Sequence, residues 1–373
     1  MLISERNTMI VPTHSFLTCL LALLFITNGS HAQDRLKVAV AGLSHDHVHT
    51  LLRAYKNQEV DILGIAEADK KLTDRYRKSY NLPDSLFFPS LTDMLHNVHP
   101  DIVLAYNAIA EHLDVAEVCL PLKVPLMVEK PLATTNKQAQ RIARLSSMHD
   151  TPVFTNYETT WYESNQALKR LVDSGTVGAL KKIMVKDGHQ GPREIGCSED
   201  FLQWLTDPEM NGGGALIDFG CYGANLMTWL MKGERPHAVT AVTRQLKPAV
   251  YPRVDDDATI ILEYADGTTG IIQASWDWPY NIKDLQVFGE NTSLHAVDPG
   301  TLLRYGQHNA SERIPLKTSY FRDQLAYIKE ALAGRIDVSD DLSSLSNNLI
   351  VVEILDAARE SAKKGKRVVL GRK

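Results

Sequence analysis

Pro125-Leu126-Met127-Val128-Glu129-Lys130-Pro131 decides how this chain folds. Its apolar run has the composition of a parallel strand buried on both faces, and it ends in two charged residues and a proline. A second run of the same kind, Leu36-Lys37-Val38-Ala39-Val40-Ala41-Gly42, leads straight into a helical pattern. In an open α/β sheet, ligands sit just beyond the carboxyl ends of the strands. Lys130 therefore points into a crevice, its direction constrained by the locked φ of Pro131. An ammonium there can hydrogen-bond a substrate hydroxyl and help its proton leave while a hydride goes elsewhere.

Outward from this stretch, strands and helices alternate. The strands predicted are Lys37–Ala41, Asp61–Ala66, Asp101–Tyr106, Pro125–Glu129 and Pro152–Asn156, with helices over Val48–Lys56, Asp69–Tyr80, Glu111–Leu120 and Asn136–Met148. Thr135-Asn136-Lys137-Gln138 opens the last as a capping box. This rhythm predicts a doubly wound parallel sheet of the Rossmann type over residues 35–155. Past Asn156 the rhythm changes. A helix over Ser164–Asp173 is followed by strand-like runs at Leu180–Lys186, His237–Thr243, Ala258–Tyr264, Gly270–Ser275 and Leu285–Phe288. Asp266-Gly267 is a hairpin signal between two of them. Residues 156–373 thus read as an α/β domain with a mostly antiparallel open sheet, a helix over Gly212–Leu230, and a helical tail over Tyr320–Leu332 and Ser344–Lys363.

The 373 residues suffice for two cores, and a formal charge of −5 gives no support to nucleic-acid or anionic-membrane partners. The basic run Lys363-Lys364-Gly365-Lys366-Arg367 reads as a solvated helix end. At the start, Arg6 precedes the apolar Phe16–Ile26, too short to span a bilayer, and Ser30-His31-Ala32 fits a cleavage site. Residues 1–32 are therefore expected to be a Sec-type signal peptide, with Met9 an alternative start and no twin arginine. Cys19 lies inside the apolar run, so no lipid anchor is expected, and the mature protein is expected in the periplasm. Cys119, Cys197 and Cys221 would remain, too few for a disulfide framework, with pairing of the last two left open.

After the first strand the sequence is Gly42-Leu43-Ser44-His45-Asp46-His47. A dinucleotide loop wants Gly-x-Gly-x-x-Gly, and only the first glycine is present. Ser44 still offers a backbone N–H to phosphate at a helix N-terminus. His47 must either push helix and strand apart or turn into the cleft. Glu67, ending the second strand, suits the ribose hydroxyls and favours NAD over NADP, although Lys70 and Lys71 lie close by and NADP stays open. His45, His47 and His49 raise a metal reading, but no second cluster completes a ligand set, so they are read as polar groups facing the crevice or the pyrophosphate, with no metal assigned.

Two segments resemble the Gfo/Idh/MocA oxidoreductases: Val128-Glu129-Lys130-Pro131-Leu132, and Gly212-Gly213-Gly214 running on to Asp218, Gly220, Tyr222 and Asn225. The likeness covers nearly all of the chain after residue 35. It implies an NAD(P)-binding Rossmann domain, a second domain whose open sheet often forms a homo-oligomer interface, and sugars or polyols as substrates. It also implies that Lys130 is the active-site lysine and Asp218 the substrate-binding carboxylate. Tyr222 stands where many members have histidine, as in the glucose–fructose oxidoreductase-like branch, which makes it the acid/base provided that Lys130 lowers its pKa. Gly42, Ser44, His45, His47, Glu67, Asn107, Glu129 and Lys130 fall to the cofactor side, and His189, Asp218 and Trp276 to a sugar pocket. Three departures stand out. The loop is poor in glycine, Tyr106-Asn107-Ala108-Ile109-Ala110-Glu111-His112 replaces Pro-Asn-x-x-His, and Tyr157-Glu158 replaces a Tyr-Arg pair.

Export sits badly with a freely dissociating cofactor. The expectation is an exported oxidoreductase acting on a sugar or glycoside with tightly held, internally recycled NAD. The alternatives are a non-catalytic sugar-binding protein and a metal-dependent lyase or hydrolase built on His45, His47 and His49.

Overall fold

The structure, a computed structural model, describes residues 35–306, 310–317 and 322–371. The expected signal peptide, with Met9, Cys19 and the cleavage site at Ala32, and the predicted helix start at Tyr320 lie outside the described residues.

Six runs, Lys37–Ala41 (β1), Asp61–Ala66 (β2), Phe87–Phe88 (β3), Ile102–Ala105 (β4), Leu126–Glu129 (β5) and Val153–Asn156 (β6), form one sheet ordered β3-β2-β1-β4-β5-β6. Every pairing in it is parallel. Val38, Ala39, Val40, Ile102, Val103 and Leu126 are fully buried, as strands covered by helices on both faces must be. The strand order reverses between β1 and β4, and the crevice outside that switch point is where such sheets bind ligands. The sequence reading misses β3, which is only two half-buried phenylalanines long.

Among the described residues the second sheet has nine strands: Leu180–Gly188 (β7), Ala238–Arg244 (β8), Asp257–Glu263 (β9), Thr269–Ser275 (β10), Ile282–Gly289 (β11), Ser293–Asp298 (β12), Thr301–Tyr305 (β13), Ser311–Arg313 (β14) and Val368–Val369 (β15). Their order is β14-β13-β12-β11-β7-β10-β9-β8-β15, and β7–β10 is the parallel pair in an otherwise antiparallel sheet. Asp266-Gly267 turns β9 into β10, with Gly267 at φ +90°. Strands β12 to β14 extend the sheet beyond the expected limit at Phe288; Pro299-Gly300 between β12 and β13 reads as loop and hides them.

One face of this sheet is covered by the helix Gly220–Leu230, in which every residue is buried. The expected continuous helix from Gly212 is broken into a turn, a short helix over Ala215–Asp218, and this longer one. The last helix, Leu345–Lys364, ties the two sheets together. Its Ser361 Oγ accepts the Ala241 N–H at 2.9 Å, and its Asp356 accepts the Asn136 N–H at 2.7 Å. Tyr327 and Ile328 of the helix Gln324–Leu332 pack into the core of the first sheet. No described helix is long and apolar enough to cross a membrane.

Candidate active site

The crevice beyond β1, β2 and β4 is a cleft of about 520 Å³, lined by Gly42, Ser44, Glu67 and Asn107 among others. Gly42 has φ +81°, and a Cβ on it would lie 2.6 Å from the Asn107 Cβ. Glycine is therefore required twice over, by backbone conformation and by close approach. Glu67 closes the loop, since its carboxylate accepts the Leu43 N–H at 2.9 Å and the Asp69 N–H at 2.9 Å. The carboxylates of Glu67, Asp69, Glu111, Asp200 and Asp207 line the cleft, and among the described lining residues none is lysine or arginine. Lys70 instead pairs with Asp74 on the helix surface. The Asn107 Oδ1 is buried and has no hydrogen-bond partner.

His47 does not push the helix away. Its ring turns towards the end of β5, where Nδ1 lies 2.9 Å from Glu129 Oε2. Glu129 is buried, and its other oxygen accepts Asn156 Nδ2–H at 2.8 Å. Burial raises the Glu129 pKa, but the His47 charge and these hydrogen bonds outweigh it and hold the carboxyl below its usual range. His45 is completely buried against Phe201 and Trp204 of the second domain, and burial holds its imidazole well below the usual range. His49 is not part of this group. It lies on the helix Val48–Lys56 with Nδ1 2.7 Å from Tyr80 Oη, stacked on Tyr76 and Tyr80.

Lys130, at the end of β5, reaches the carboxylate of Asp218 as a buried ion pair. The other carboxylate oxygen accepts Trp276 Nε1–H at 2.9 Å. Burial alone would lower the Lys130 pKa, but the Asp218 charge reverses the effect and keeps the ammonium above the ordinary lysine range. Burial likewise opposes the ionised Asp218, and Lys130 again prevails, holding that pKa low. Lys130 Nζ also lies 5.3 Å from the centre of the Tyr222 ring.

Two expectations, for Trp276 and for Tyr222, are corrected here. Trp276 is 0% exposed and donates to Asp218, so it positions the carboxylate and cannot offer a face to a sugar. Both oxygens of Asp218 are engaged, which fixes the carboxylate's orientation while leaving each oxygen acceptor capacity for a further hydrogen bond. Tyr222 is not made more acidic by Lys130. Burial, then the carboxylates of Glu158 and Asp187, push its phenol well above the ordinary value. His189, at the end of β7, accepts the Gly191 N–H on Nδ1 at 2.9 Å, which puts the proton of the neutral ring on Nε2 as a donor.

The Gly212–Gly214 turn that carries Asp218 is locked rather than flexible. Gly212 and Gly213 have φ +89° and +157°. Asp255 accepts the Gly214 N–H at 3.0 Å and the Leu216 N–H at 2.7 Å, capping the short helix. Arg359 of the last helix donates to the Gly212 carbonyl at 2.7 Å and the Thr134 carbonyl at 2.8 Å, so one guanidinium joins this turn to the segment after Lys130.

Residues 36–157 match the family model described as an oxidoreductase family with an NAD-binding Rossmann fold, and residues 165–295 match the GFO/IDH/MocA C-terminal domain. The chain belongs to the Gfo/Idh/MocA oxidoreductases. Among curated relatives, the trans-1,2-dihydrobenzene-1,2-diol dehydrogenase of Bos taurus is 23% identical over 240 residues, 64% of this chain and 67% of that one. Among solved structures, the aldose-aldose oxidoreductase of Caulobacter crescentus superposes with TM-score 0.75 at 18% identity, over 90% of this chain and 100% of that one. An inositol dehydrogenase homolog from Azotobacter vinelandii, complexed with NAD+, gives TM-score 0.78 at 16% identity, over 91% and 98%.

The residues of this Gfo/Idh/MocA chain fit NAD at the cleft. Gly42 leaves the close backbone approach that a Cβ would fill, Glu67 stands at the strand end suited to ribose hydroxyls, and the orphaned Asn107 Oδ1 awaits a donor. Gly42→Ala should weaken NAD binding roughly tenfold to a hundredfold in a calorimetric titration, through a strained φ and the contact with Asn107. Unchanged affinity would show that the cofactor does not use this loop. Against the family pattern, the Arg position after β6 carries Glu158, which pairs with Lys283 of β11. Lys283 Nζ lies 4.8 Å from the centre of the Tyr222 ring, and Asp187 sits opposite Lys283 in the sheet register. Asp187 is buried with Oδ1 unpartnered, and burial pushes its carboxyl well above the usual range. Lys283 and Asp187 escaped the sequence reading because nothing local marks them. Glu158 was visible only as a departure.

Proposed function

We propose that this protein is an exported NAD-dependent oxidoreductase that acts on a sugar or glycoside hydroxyl by hydride transfer, with its cofactor held tightly and recycled within each cycle. The observation that carries the reading is the buried Lys130–Asp218–Trp276 group beside Tyr222, at the strand ends next to the dinucleotide cleft. NAD, when bound, supplies the hydride acceptor. A substrate hydroxyl inserted between Lys130 and Asp218 would donate to the carboxylate, which takes its proton as the hydride leaves, and would accept from the ammonium, which offsets the charge developing on its oxygen. Tyr222, kept protonated, serves as a donor to that oxygen in the reductive direction. The acidic lining of the cleft disfavours a 2′-phosphate and supports NAD over NADP. The name of the aldose-aldose oxidoreductase supports the sugar class and a redox-neutral exchange. Export rests on the apolar Phe16–Ile26 and on Ser30-His31-Ala32.

The test is direct. Protein recovered from the periplasm of a two-membrane cell should begin at Gln33 and, once denatured, release NAD identifiable by mass. Adding the right sugar should change absorbance near 340 nm. An uncleaved chain in the cytoplasmic fraction would sink the export claim, and a folded protein that neither releases nor binds NAD would leave a non-catalytic sugar-binding protein as the better reading.

A further inference from the structure

Beside the Lys130 group lies a buried histidine that the proposed reaction does not use. His45 Nε2 is buried and has no hydrogen-bond partner, and Glu129 Oε2 lies 4.0 Å from it. His47 Nδ1 is 2.9 Å from that same oxygen, and the donor atoms of the three residues lie within 4.8 Å of one another. We propose that His45, His47 and Glu129 form a binding site for a divalent first-row transition-metal ion. This goes beyond the NAD reading and does not rest on it.

The site is built from two strand ends. His45 and His47 come from the loop after β1, His47 at the position where a dinucleotide loop has its third glycine, and Glu129 comes from the end of β5. Asn156 holds one Glu129 oxygen and so orients the other towards both rings. Fixing of a ligand by an outer partner in this way is typical of metal sites. Two imidazoles and one carboxylate suit zinc, manganese, cobalt or ferrous iron; magnesium and calcium prefer oxygen donors throughout. Three protein ligands leave coordination positions open, and the site is reached from solvent at His47, whose side chain is 43% exposed whereas those of His45 and Glu129 are 1% and 2%. As the rings stand, His45 Nδ1 accepts the His47 amide N–H at a long 3.2 Å, and His47 Nδ1 donates to Glu129. Binding an ion moves the His47 ring proton to Nε2 and exchanges its bond to Glu129 for metal bonds; at His45 the proton moves from Nε2 to Nδ1, at the cost of the bond from the His47 amide.

Untagged whole protein, treated with chelator and dialysed, is titrated calorimetrically with zinc chloride and cobalt chloride, with melting curves recorded for every variant. One equivalent should bind, and millimolar magnesium should not compete. His47→Gln and Glu129→Gln should bind at least about tenfold more weakly. His49→Gln should match the wild type, since His49 is engaged with Tyr80 and Tyr76. His47 is half-exposed, so its variant keeps the test valid if Glu129→Gln fails to fold. Absence of stoichiometric uptake by the folded wild type, or undiminished uptake by folded His47→Gln, overturns the proposal.

Discussion

Lys130→Met should lose turnover by about a hundredfold or more, the scale on which positioned proton-handling groups act, and should also lose stability. The second loss follows from burial. Lys130 is 6% and Asp218 5% exposed, so removing the ammonium leaves a carboxylate uncompensated in the interior, at a cost of about 3–5 kcal/mol. Adding Asp218→Asn removes that charge and keeps an acceptor for Trp276 Nε1–H. The double variant should regain most of the stability in a urea titration and none of the turnover. Recovery of turnover would show that the ammonium takes no part in the chemistry. A single variant as stable as the wild type would show that the pair is not buried as described. The pH dependence has a definite sign. The low pKa of Asp218 contributes stability above the unfolded carboxylate range, about pH 4, which is lost as pH falls through the folded value. The raised pKa of Lys130 contributes stability that is complete below about pH 10 and lost as pH rises through its folded value. The stability gap between wild type and double variant should therefore be flat near neutrality and narrow in acid.

Gly214→Ala should be the most damaging glycine-to-alanine change among the described residues. A Cβ there would lie 1.7 Å from the Asp255 carbonyl oxygen, and that neighbour is backbone rather than a side chain that can swing aside. Moving Asp255 breaks its bonds to the Gly214, Ala215 and Leu216 N–H groups, and with them the cap of the helix that ends in Asp218. We expect a loss above about 4 kcal/mol, enough to remove most of the stability of an ordinary domain and the soluble yield with it. Gly233→Ala is the control. Gly233 has φ +77° but nothing within 4 Å of its added Cβ, so only the backbone term of about 1 kcal/mol applies. Equal melting temperatures for the two variants would refute the packing account of the turn.

What the sequence determined by itself is what depends on local pattern. Continuous apolar runs placed β1, β2, β4, β5 and β6, the β–α alternation made the first sheet parallel, and Asp266-Gly267 made a hairpin. Position alone put Lys130 at a strand end, and the family resemblance marked Asp218, but their pairing is seen only in the fold. The rest was beyond local pattern because it depends on which surfaces meet. Lys283 and Asp187 join the site only because β11 pairs with β7 in one register and the helix carrying Tyr222 covers that face. Tyr222 cannot be assigned a proton affinity from its neighbours in the chain. Burial and two carboxylates distant in sequence set it. His45 and His47 part from His49 because the helix begins only at Val48, and Glu129 becomes their companion because β5 ends beside that loop. Burial, charge pairing and convergence of side chains are sums over the folded neighbourhood, and only the tertiary structure decides them.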